Sequence, residues 1–90
     1  MISGKDKKLL EDKCREICKE YNLGQAYFTR SLGPRRHFLA GFGKACFEEQ
    51  QTIAFDSGIM FFAFGNIAEK DIKKIKTELA GIVHTMKERI

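Results

Sequence analysis

Three cysteines and two histidines are the side chains of this sequence best suited to chemistry, and Cys14 and Cys18 form the nearest pair. Four residues apart on a helix, both sulfurs lie on one stripe and would supply half of a tetrahedral zinc site. The other half has no counterpart, because Cys46, His37 and His84 are isolated in the chain. Cysteine is among the most often buried residues, so core thiols are expected, with no metal. His84, beside the apolar stripe of a Lys-rich segment, reads as a surface histidine. Acid, base and nucleophile patterns are as sparse. Asp56-Ser57-Gly58 is turn chemistry with no base placed beside the serine. Glu48 and Glu49 are adjacent, so on a strand they point apart. Gly41-Phe42-Gly43-Lys44 lacks the spacing and the following Ser or Thr of a phosphate-binding P-loop. No catalytic residue and no cofactor is assigned, and the chain reads as non-enzymatic.

Charge carries more information than these motifs. Sixteen Lys and Arg against twelve Asp and Glu give a net charge of +4. Residues 25–47 hold Arg30, Arg35, Arg36 and Lys44 with no acid, whereas residues 48–65 hold only Glu48, Glu49 and Asp56. Arg30, Arg35, Arg36, His37 and Lys44 would gather around one hairpin, where phosphate contacts would give a salt-dependent affinity for RNA or single-stranded nucleic acid. The octet AGFGKACF at 40–47 invites the same thought. Gly41, Phe42, Gly43 and Phe47 fall into step with the strand that reads RNA in the RNA-recognition motif. Lys44, however, stands where that strand needs a base-stacking aromatic, and Ala40 where it needs a basic residue. The segment FFAFGNI at 61–67 follows the octet where its companion motif should precede it. The plainer reading is that glycines let neighbouring groups approach a sheet.

The elements that position these residues begin with a helix opened by Ser3 and Asp6 at capping-box spacing. Leu10, Cys14, Ile17, Cys18 and Tyr21 form its apolar stripe, and Asn22 with Gly24 supplies a left-handed stop. A second helix is expected from an Asn66 cap, with Glu69 in the box position and a stripe of Ile72, Ile75, Leu79, Ile82, Val83, Met86 and Ile90. Between them, aromatic and β-branched runs at 25–31, 36–46, 51–56 and 59–65 read as four strands, broken at 32–35, 47–50 and 57–58. The expected fold is α+β, in the order α-β-β-β-β-α. It has an antiparallel four-stranded meander and both helices on one face. Ninety residues without a linker or repeat make one domain, 1–90. The order of helix, antiparallel strands and helix resembles that of the small Alu-RNA-binding proteins of the signal recognition particle. That resemblance implies RNA contact through the basic hairpin.

Turns of even length would pair Ser31 with Arg36, Cys46 with Gln51 and Asp56 with Ile59. Alternation along the strands then collects Tyr27, Phe38, Ala40, Phe42, Ile53, Phe55, Met60, Phe62 and Phe64 on one face, expected to be the core. Four strands about 4.8 Å apart make a sheet roughly 19 Å wide, which two helices about 10 Å across cover on one side only. Phe28, Leu39, Ile59 and Phe61 would remain on the uncovered face, the expected partner-binding surface. A small interaction module is expected, forming a homodimer through that face or through an edge strand. The alternative is nucleic-acid binding by the basic hairpin, with Phe28 and Phe61 as stacking platforms. Three cysteines cannot all pair, no secretory pattern opens the chain, and the longest apolar run is IMFFAF. A cytoplasmic protein with reduced thiols, not crossing a membrane, is the expectation.

Overall fold

The computed structural model describes residues 4–44, 48–55 and 58–89. Expectations that rest on Ser3, Cys46, Phe47, Asp56, Ser57 and Ile90 fall outside the described residues, as does the side chain of Met86. The elements follow the expected order: α1 (Gly4–Tyr21), β1 (Gln25–Leu32), β2 (Arg35–Gly43), β3 (Gln50–Ala54), β4 (Ile59–Phe64) and α2 (Glu69–Arg89). No helix among the described residues is long and apolar enough to cross a membrane.

Helix α1 buries Leu10, Cys14, Ile17 and Cys18, the stripe its spacing predicts. It ends where Asn22 takes φ 56° and the Leu23 N–H donates to the Cys18 carbonyl at 2.8 Å. That is a Schellman closure, and Leu23 then packs into the same core as Cys18. Helix α2 starts later than Asn66 predicts. The Asp71 and Ile72 N–H groups both donate to the carbonyl of Ala68, which is therefore the N-cap, and Asn66 is exposed. Between them Ile67 is drawn into the core, which keeps the chain extended until the helix begins.

Leu32 pairs with Arg35 across a two-residue hairpin, with Gly33 at φ 62° followed by Pro34. A left-handed first residue before a proline suits the type II′ turn, whose twist matches that of the strands it joins. The sheet order is β2-β1-β4-β3 with every neighbour antiparallel. The α+β class and element order hold, but strand adjacency departs from a meander: β2 and β3 lie at opposite edges, and β1 pairs with β4. The sequence contains the reason. Strands β1 and β4 carry apolar side chains on both faces, through Ala26-Tyr27-Phe28 and Ile59-Met60-Phe61-Phe62-Ala63-Phe64, so each gains from two neighbours. Strands β2 and β3 carry charged and polar residues that tolerate an edge.

Both helices pack on one face. Leu10, Cys14, Ile17 and Cys18 of α1 and Ile75, Leu79 and Val83 of α2 share one cluster with Ala26, Phe28, Ala40, Ile53, Ile59, Phe61 and Ala63 of the sheet. An ion pair between Lys13 and Glu78 joins the helices on their outer side.

Candidate functional site

Side-chain alternation and strand register determine what the other face carries. Tyr27 faces Phe62 across the β1–β4 ladder and Gly41 across β1–β2. Thr29 lies between Phe38 and Met60, and Phe62 lies opposite Thr52. Tyr27 stacks on Phe62 and Phe64, with centroids 5.1 and 5.9 Å away and planes 23° apart, and meets Phe38 at 6.2 Å. Phe62 is only 4% exposed yet stands outside the helix-side cluster, because its neighbours on this face cover it. The Arg36 guanidinium contributes, lying 5.4 Å from the Phe62 ring centre. Phe38, at the β2 edge, is 64% exposed. No described helix covers these residues.

This corrects the expected assignment of faces. Phe28 and Phe61 are 0% exposed and Ile59 is buried, all three beneath the helices, so they cannot form an open surface or stack on bases. Leu39 is half-buried against the same core. Alternation had correctly grouped Tyr27 with Met60, Phe62 and Phe64, and Phe28 with Ile59 and Phe61. The helices take the second group because Ala26, Ala40 and Ala63 lie among its large residues and leave room for helical side chains, such as Leu10 and Leu79, to interdigitate. Two local features move other residues between faces. The ladder shifts register between Phe28, which pairs with Ala40, and Thr29, which pairs with Phe38, so Leu39 is an inserted bulge residue. It sends Ala40 and Phe42 to the helix side. Ala54 pairs with Met60, one residue out of step with the expected even turn, and this sends Ile53 there too.

Of the basic set, Arg30, Arg35, Arg36 and His37 meet at one corner but divide between the faces, and Lys44 does not join them. Arg36 points to the open side. Arg30 lies in register with Phe28 and Arg35 with Leu32, and His37 pairs with Arg30, so these three project on the helix side. Arg35, Arg36, His37 and Lys44 are exposed, and Arg30 is half-buried, its Nε–H donating to no partner among the described residues. Lys44 sits at the far end of the β2 edge, where its N–H donates to the Gly24 carbonyl. Glu48 and Glu49 are exposed at the start of β3, on the opposite edge. The sheet is thus polarised across its strands.

The remaining chemical candidates do not assemble. Cys14 and Cys18 are buried, and burial, with Cys18 and Glu11 nearby, pushes the Cys14 thiol up to about 12. A thiol held that high stays protonated at neutral pH, which removes the thiolate that nucleophilic chemistry needs. No group of three or more His, Cys, Asp or Glu among the described residues could hold a metal ion. No family model, no curated protein and no solved structure matches this chain. The open aromatic face is the candidate site. Sequence alone groups Tyr27, Phe38, Met60, Phe62 and Phe64, but the register puts Gly41, Thr52 and Ala54 beside them in place of Ala40, Phe42 and Ile53, and only the position of the helices distinguishes this face from the core.

Proposed function

We propose that this chain is a non-enzymatic interaction module that self-associates through the open face of its sheet. One observation carries the reading: Tyr27, Phe38, Met60, Phe62 and Phe64 collect on a face that no described helix covers. Contiguous apolar surface of this kind marks interaction sites. Self-pairing of the edges is the weaker route. Edge β2 bears Arg35 and Arg36 and is bent by the bulge at Leu39, while β3 is five residues long and opens Gln50-Gln51-Thr52. Charges, bulges and short polar strands all discourage edge pairing.

Nucleic acid is the second reading, supported by exposed Arg35, Arg36, His37 and Lys44. The rings count against it. Base stacking needs free ring faces, whereas Tyr27, Phe62 and Phe64 occupy one another's faces and Arg36 lies over Phe62. A protein surface, which packs against ring edges as readily as faces, is the better occupant. Light scattering at micromolar concentration tests this. The expected result is a mass twice that of the chain, with Phe38→Ala weakening the dimer about tenfold. A folded monomer at low and high salt would remove the reading. A monomer whose mobility shifts with mixed-sequence RNA at about 50 mM salt would replace it with nucleic-acid binding.

A further inference from the structure

The helix side of the first hairpin carries cations that the fold leaves without counter-charge. Arg30 and His37 face each other across the β1–β2 ladder, and Arg35 precedes His37 by two residues on the same side of β2. Directly opposite residues of such a ladder lie about 5 Å apart at Cβ and diagonal ones about 7–8 Å, within reach of long side chains. Two guanidinium groups and an imidazole can therefore meet at one point. Residues 25–47 contain no acid, and the ion pairs of the described residues belong to Lys13 and Arg15 of α1, not to Arg30 or Arg35. Like charges gathered on one strand pair destabilise it.

Arg30 adds a second, independent observation. Its Nε–H is buried and donates to no partner among the described residues, while the residue as a whole is half-buried and remains open to an incoming group. A donor withdrawn from water without an acceptor opposes folding. An anion docking on the guanidinium would supply that acceptor and neutralise the cluster in one step.

We infer that Arg30, Arg35 and His37 form a binding site for a compact, multiply charged phosphate anion, a phosphate monoester or a diphosphate. The site is separate from the ring stack and lies on the other face of the sheet. Arg30 presents the planar fork that holds two oxygens at once, Arg35 reaches the anion from the diagonal position, and a His37 ring N–H donates from beside them. A compact anion suits the cluster better than a nucleic-acid chain, because the cations do not continue as a track. Phe28 and Ala40 follow them along the strands and are both buried, Arg36 lies on the open face, and Lys44 sits at the far end of β2. A polyphosphate backbone needs a basic groove that follows it. Converging cations need only one charged ligand.

Pyrophosphate is the probe, titrated calorimetrically into the intact chain at about 50 mM salt. A saturable heat is expected. Arg35 is exposed, so Arg35→Gln should fold, and it should weaken binding about tenfold. Arg30→Lys keeps the charge and loses the fork, and should weaken it by a similar factor. Arg36→Gln and Lys44→Gln remove the same net charge elsewhere and should change affinity less than about threefold. Arg30→Met gives a readout that a structural role would not: it removes the orphaned donor, so the ligand-free chain should melt no lower than wild type. The rise in melting temperature that about 10 mM pyrophosphate gives the wild type should nevertheless vanish. Equal weakening in all the charge variants would mean diffuse attraction, and no saturable heat would mean that the cluster holds no anion. Either result overturns the site. Mixed-sequence RNA that binds where pyrophosphate does not would overturn it too, assigning the cations to a nucleic-acid surface. Self-association is read by mass and stands or falls separately.

Discussion

At Cys14, burial decides both reactivity and pH dependence. The folded thiol is pushed up to about 12, with desolvation the largest cause, against about 8.5 for an unfolded cysteine. Between those values the unfolded chain has lost a proton that the folded chain keeps. Stability therefore falls with rising pH, by about 1.4 kcal/mol per unit across the window. Lys13, whose ammonium is raised chiefly by its hydrogen bond to Glu78, contributes in full below its unfolded value of about 10.4. That contribution is lost only as pH passes the raised folded value. Urea unfolding from pH 7 to 11 should show a decline beginning near pH 8.5 in the wild type, and a shallower one in Cys14→Ala. Identical alkaline limbs would contradict the account. Gly41 shows a second residue-level constraint, because a Cβ there would lie 2.6 Å from the Tyr27 Cβ and 2.9 Å from the Ala26 carbonyl oxygen. Gly41→Ala should cost about 1–3 kcal/mol as overpacking. At Gly33, φ is positive but a Cβ would meet nothing within 4 Å, so Gly33→Ala should cost about 1 kcal/mol. Denaturation midpoints give the ranking, and equal losses would mean that Tyr27 does not depend on the missing side chain.

Among the elements, the helix ends and strand partners differ in how far local sequence specifies them. Asn22 terminates α1 in the left-handed region, a conformation that costs alanine roughly 1–2 kcal/mol and glycine nothing. Asn22→Ala should therefore lower stability by about 1 kcal/mol and Asn22→Gly should leave it unchanged or slightly raised, as read by thermal unfolding. A loss equal in both variants would point to the amide, not the backbone. Such features are legible because they are local. Cys14, Ile17 and Cys18 declare a stripe, Gly33-Pro34 declares a hairpin, and Ser31 and Arg36 are paired as turn length predicts. Pairing of β1 with β4 joins residues about thirty to forty positions apart, and the cue lies in apolar side chains on both faces of IMFFAF. Leu39 defeats the period-two rule through a single inserted residue, which moves Ala40 and Phe42 to the other face. Counting hydrophobic residues favoured the Tyr27 face as core. Fit decided otherwise, since Ala26, Ala40 and Ala63 admit helices where stacked rings do not.

The whole molecule has two apolar assemblies separated by one sheet thickness, and only one of them is closed by the chain itself. The helix-side cluster contains the fully buried Phe28, Phe61, Leu10, Ile17, Ile75 and Leu79 and maintains the fold of a single copy. The Tyr27–Phe62–Phe64 stack is held by its own rings and by Arg36, with Phe38 projecting at its margin. If a second copy covers that stack, folding and association are linked, and the melting temperature must rise with protein concentration. Calorimetric scans from about 5 to 500 µM should show that rise in the wild type. Phe38→Ser removes a ring that is 64% exposed in the single chain, so it should leave the melting temperature at the lowest concentration nearly unchanged. It should also flatten the dependence on concentration. The two effects separate the assemblies: a substitution in the closed core, such as Phe61→Leu, should lower the melting temperature at every concentration and leave the slope in place. A wild-type melting temperature that is constant over this range would mean that the open face remains uncovered in solution and that the ring stack is stable without a partner.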